Sequence, residues 1–149
     1  MAYRWKIHID AAPEAVFDKL ADIEHHPQWA NPNAKLSMSS VSGGPPALGS
    51  KYRSEQVFTG KPNTADIEIT GFDRPRTFEF SIAQRKVGGS KDVHFTHTFL
   101  LTPAGGGTDL ERTTDGDGNP ILGFIAYPAI KADGNKSLGN LKKQLEGSV

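Results

Sequence analysis

The chain has 149 residues, no cysteine, and 17 basic against 17 acidic side chains, so its formal charge is zero. That length suits a single domain over residues 1–149, able to bury roughly 70% of its unfolded surface. The missing cysteine excludes disulfides, thiolate zinc sites and thiol nucleophiles. The balanced charge, without a basic cluster, argues against a nucleic-acid partner, and no apolar run approaches the roughly 18–20 residues of a membrane span.

In chain order, YRWKIHID (3–10) alternates strictly, with Tyr3, Trp5, Ile7 and Ile9 on one face, which predicts a half-buried strand. This alternation lacks the apolar centre of a signal peptide, and the expectation is a cytoplasmic protein. Pro13 suits a first helical position, and Val16, Phe17 and Leu20 follow on one face of a short helix over 13–21. The next stretch, DIEHHPQW (22–29), holds one further short helix before Pro27 and Pro32 break it up.

Residues 34–115 read as strands and turns. Strands are predicted at 35–41, the weakest of the set, then at 51–59, 64–72, 77–84, 92–103 and 108–115. The turns between them are GKPN (60–63), DRPR (73–76), VGGS (87–90) and AGGG (104–107). None of these connections can hold a crossover helix, so the sheet is an antiparallel meander. A long helix follows over about 120–146, with Asn119 as N-cap, Pro120 as N1 and Gly147 as its stop. Gly134, Leu138, Leu141 and Leu145 form its apolar stripe, and Pro128 falls inside it, where a kink or a broken start is expected. The fold class is α+β: a seven-stranded antiparallel sheet curved around a long C-terminal helix, with two short helices after strand 1. One helix covers only part of such a sheet, which leaves a hollow between them.

Several constellations have ordinary explanations. His25 and His26 are neighbours, and adjacent helical residues point about 100° apart, so they do not converge on one ion; both are read as surface residues. Trp29 is read as packing at the end of the hollow or on the long helix. DGDGNP (115–120) places Pro120 where a calcium loop needs glycine. No metal and no cofactor is expected. His97 lies on the apolar stripe of its strand with Phe95 and Phe99, while His94 points to the other face. Arg112 shares parity with Leu110, and an inward arginine calls for an anionic partner, from the protein or from a ligand.

Four phrases carry a family resemblance: IHIDAAPEAVFDKLADIEHHPQW (7–29), FDRPRTFEF (72–80), HTFLLTPAGGGTDLERT (97–113) and LGNLKKQLEG (138–147). In this order they resemble the START-like helix-grip (SRPBCC) superfamily, the fold of the birch pollen allergen and of the polyketide cyclase/dehydrase and lipid-transport group. The resemblance implies an internal cavity for a small apolar or amphipathic molecule such as a lipid, polyketide or aromatic compound. The expected lining is Phe17, Trp29, Tyr52, Phe80, Phe95, Phe99, Phe124 and Tyr127, with His97 and Arg112 as polar anchors. The alternative is a cyclase/dehydratase-type enzyme in the same cavity, with His97, Tyr52 or Tyr127 as general acid/base. A homodimer is left open as a partner, and no catalytic residue is assigned.

Overall fold

The structure is a computed structural model. It describes the chain apart from residues 1, 31–34, 59–60, 85–92, 117–119 and 148–149, and apart from the side chains of residues 2, 57–58, 61–63, 93, 120–127 and 129. Its elements are β1 (Ala2–Ile9), α1 (Pro13–Ala21), a 3₁₀ helix (Ile23–Gln28), β2 (Ser37–Ser40), β3 (Lys51–Phe58), β4 (Lys61–Asp73), β5 (Thr77–Gln84), β6 (Val93–Ala104), β7 (Gly107–Gly116) and α2 (Pro120–Leu145). The strands form one antiparallel sheet in the order β1-β7-β6-β5-β4-β3-β2. Each strand from β2 to β7 pairs with its sequence neighbour, and β1 closes on β7, so short turns suffice for the meander.

Register puts the apolar parities on one face. Trp5 pairs with Arg112, Arg112 with Phe99, and Phe99 with Phe78. The next inner row runs Tyr3, Thr114, His97, Phe80 and Ile69. Directly opposed residues of an antiparallel pair point to the same side, so these rows make one inner face. Arg4, Lys6, Glu111, Thr98 and Glu79 occupy the outer one.

Two details depart from simple alternation. A register shift between Ile69 and Gly71 inserts one residue into β4, which turns Phe72 inward. Phe72 then meets Phe17 edge-on at 5.1 Å and lies opposite Phe78. The bulge needs glycine, since a Cβ on Gly71 would sit 2.9 Å from Glu79 Cβ. The second departure is a correction: GKPN is not wholly turn, because β4 begins at Lys61. Pro62 takes its place in the ladder opposite Val57 of β3. The β6–β7 turn is tight, with Gly105 and Gly106 at φ of 57° and 83°, the left-handed pair that a two-residue hairpin loop requires.

Helix α2 runs along β1. Trp5 Nε1 donates to the Lys131 carbonyl at 3.1 Å, Lys142 Nζ donates to the His8 carbonyl at 2.6 Å, and the Asp10 amide donates to Glu146 at 2.9 Å. Its stripe is as expected: Gly134, Leu138 and Leu141 are buried and Leu145 is partly buried. Gly134 lets the indole of Trp5 lie against the helix, because a Cβ there would be 2.6 Å from Trp5 Nε1. The helix continues through Pro128, which is exposed, rather than breaking near it. Helix α1 packs on β5, β6 and β7 and buries Val16, Phe17 and Leu20. Arg74, in the β4–β5 turn, holds α1 through a two-pronged ion pair with Asp18 at 2.8 and 3.0 Å.

Candidate functional site

The inner face carries one polar cluster amid its aromatics. Arg112 on β7 donates from Nη2 to Nδ1 of His97 on β6 at 3.1 Å. Thr114 Oγ1 lies 2.8 Å from the same nitrogen. The two residues are not directly opposed; His97 pairs with Thr114, and Arg112 reaches it from the next inner row. The guanidinium also stacks on Trp5 at 4.9 Å and on Phe99 at 5.8 Å. Aromatic faces attract a cation but give its N–H groups no acceptor, and Arg112 Nε is buried without a hydrogen-bond partner.

A guanidinium is an obligate donor, so Nδ1 of His97 must offer its lone pair and the ring proton must sit on Nε2. Burial, then the nearby Arg112 charge and His26, hold the His97 pKa well below the ordinary histidine value. Arg112 is itself pulled down to about 10 by burial, against the favourable field of Asp133. It remains a cation at neutral pH.

His26 completes the cluster. It is buried, tilted against Trp29 at 4.7 Å and edge-on to Phe80 at 5.7 Å. Phe80 in turn lies 5.0 Å from the ring of His97. His26 Nε2 is 2.5 Å from the Leu20 carbonyl, which can only accept, so this ring too carries its proton on Nε2. Desolvation lowers its pKa to about 4, partly opposed by that hydrogen bond. Trp29 is buried, and its Nε1 has no hydrogen-bond partner.

This corrects the reading of His25 and His26 as a surface pair. His25 is exposed and bonds to Asp22, whereas His26 is core. The missed signal was spacing. Ile23 and His26 are three residues apart, and a 3₁₀ helix repeats every three residues, so the histidine follows the buried isoleucine inward.

The other expected lining residues are spread along the inner face. Tyr52 is buried on β3 beside Ile67, and burial raises its pKa. Phe95 is partly buried and pairs with Ile82. Phe17, on α1, packs edge-on against Phe72 and Phe78. The side chains of Phe124 and Tyr127, and the DGDGNP segment through residues 117–119, lie outside the described residues. His94 is exposed on the outer face, as its parity requires. Among the described residues, no three His, Asp or Glu side chains converge as a metal site. Two open hollows, of about 340 and 480 Å³, are lined largely by outer-face residues such as Lys51 and Asp66, and Lys6 and Glu111.

A family model described as polyketide cyclase / dehydrase and lipid transport matches residues 3–146. The chain belongs to that family. Solved structures similar to this polyketide cyclase/dehydrase and lipid-transport family member share its fold at low identity. A protein from Rhodobacter sphaeroides has a TM-score of 0.75 at 19% identity, over 99% of this chain and 93% of its own. Ara h 8.0201 has a TM-score of 0.71 at 17% identity, over 97% of each chain. The Aha1 dimer from Colwellia psychrerythraea has a TM-score of 0.67 at 19% identity, over 99% of this chain and 97% of its own. No curated protein is significantly similar to the family member in sequence. Among its described residues, no helix is long and apolar enough to cross a membrane.

Proposed function

We propose that this protein binds a small, mostly apolar ligand, a lipid, polyketide or aromatic compound, between the inner face of the sheet and α2. Arg112 and His97 are the polar anchors, and Trp29, Phe80 and Phe99 supply apolar surface. The observation that carries the reading is the half-buried Arg112 cation, which ends on a neutral imidazole and leaves its enclosed Nε–H unpartnered. A buried donor left unmatched costs about 1–3 kcal/mol, and such costs concentrate at functional sites. A mostly apolar surface with a few placed polar groups is the usual make-up of a small-molecule site.

The cyclase/dehydratase alternative needs a group that titrates near the working pH. The His26 and His97 imidazoles are shifted well below it, and Tyr52 is shifted upward. Those shifts favour holding a ligand over moving its protons. The test is a fluorescent fatty-acyl probe titrated into wild type and His97→Ala, with native mass spectrometry of gently purified protein to find any molecule carried along. The reading expects saturable one-to-one binding that weakens in the variant. A wild-type protein that binds neither the probe nor a co-purified molecule would overturn it.

A further inference from the structure

We propose that the ligand ends in an acceptor-only anionic group, a carboxylate or an ionised phenol or enol, seated against Arg112 and His97. This rests on the binding reading above and narrows it to a chemical class.

The inference follows from which atoms of the cluster still have something to offer. His97 Nδ1 is occupied, with Arg112 Nη2 at 3.1 Å and Thr114 Oγ1 at 2.8 Å. Its lone pair is therefore spent inside the protein, and the ring has only its Nε2 proton left to present. Arg112 has donors alone, and its buried Nε–H meets no acceptor. His26 Nε2–H is committed to the Leu20 carbonyl. On the far side of His26, Trp29 Nε1 is a second buried donor without a partner.

The balance is one of unmatched donors around a cation. A ligand alcohol or primary amide brings donors of its own, for which the Arg112–His97 pair has no free acceptor. A carboxylate brings two acceptor oxygens and a full negative charge, which suits a guanidinium held between Trp5 and Phe99. The outer face, by contrast, pairs its charges locally: Arg4 with Glu111 at 3.0 Å, and Arg53 with Asp66 at 3.6 Å. The inner arginine instead donates to an imidazole, and Asp133 adds a favourable field.

The test compares ligands that share an apolar body and differ only at the end group. Dodecanoate is set against dodecanol, and naphthalene carboxylate against naphthyl methanol, by calorimetry on the wild-type full chain. The acid of each pair should bind roughly ten- to a hundredfold more tightly, the range for a hydrogen bond to a charged group. Arg112→Gln should collapse that ratio toward one, and Arg112→Lys should restore part of it. Acids and alcohols that bind equally, or alcohols that bind better, overturn the inference while leaving the binding reading intact. If no member of either pair binds, the binding reading falls, and this inference with it. The wild-type comparison decides the matter even if a variant fails to fold.

Discussion

Arg112 Nη2 meets the unprotonated Nδ1 of His97 at 3.1 Å, and this contact fixes the proton of a half-buried imidazole on Nε2. The donor cannot reverse its role, so the tautomer follows from chemistry rather than from fine geometry. Nitrogen-detected NMR of the histidine rings should show His97 as the neutral Nε2–H form at pH 7, with Nδ1 at the shift of a lone-pair nitrogen. A charged His97 ring at that pH, or the opposite tautomer, would contradict the arrangement.

The His26 and His97 imidazoles also set a direction for stability against pH. His26 falls from 6.5 unfolded to about 4 folded, and His97 is shifted the same way. The unfolded chain therefore takes up protons first as pH drops through 6.5, and stability is lost between about 6.5 and 4. A fully buried group shifted this far would account for roughly 3 kcal/mol. Exposed His8 works in the opposite sense, its pKa raised by Asp109 and then Asp10. Its contribution is present below 6.5 and fades as pH rises through the folded value. Urea midpoints measured from pH 7.5 to 4 should fall in wild type and fall less in His26→Phe. A midpoint independent of pH over that range would show that neither imidazole is desolvated as described.

Two glycines of α2 should respond oppositely to the same substitution. Alanine in a helix interior is worth up to about 1 kcal/mol over glycine. At Gly139 a Cβ meets nothing within 4 Å, so Gly139→Ala should raise the melting temperature. At Gly134 it would overlap the Trp5 indole, so Gly134→Ala should lower stability by about 1–3 kcal/mol. Equal effects at both positions would mean that α2 is not seated on Trp5.

The sheet was legible because strand alternation has a period of two and the apolar residues keep to it from Tyr3 to Leu110. His97 and Arg112 could be assigned inward by parity alone, and no register shift in β6 or β7 disturbs them. What parity could not show was Phe72, which alternation sends outward and the bulge at Gly71 brings back. Nor could it show that β4 starts at Lys61, since Gly60 and Pro62 look like turn residues until the pairing is known. His26 was hidden because the segment was read with an α-helical period, whereas the three-residue repeat of its 3₁₀ helix puts His26 beside Ile23. The cluster itself joins residues 86 positions apart in sequence, from His26 to Arg112, and only the fold brings them together.

The stripe of α2 gives a direct stability test. Leu141 is fully buried, and truncating such a leucine costs about 2–5 kcal/mol against a usual total of 5–15. Leu141→Ala should therefore move the urea midpoint strongly, while Lys136→Ala, on the exposed side of the helix, should shift it little. An unchanged midpoint in Leu141→Ala would mean that the helix packs on another face.

The most direct test of ligand binding on the inner face is a proton–nitrogen NMR titration of the wild-type protein with dodecanoate. The side-chain N–H signals to follow are Trp29 Nε1–H and Arg112 Nε–H, both unpartnered, and Trp5 Nε1–H, which is bonded to the Lys131 carbonyl. Binding as described should move the Arg112 signal downfield as its N–H gains an acceptor. Inner-face amides around Phe80, His97 and Phe99 should shift with it, in one saturable step. Saturation that shifts only the outer-face amides of Lys6, Leu100 and Glu111, and leaves Arg112 unmoved, would contradict the account.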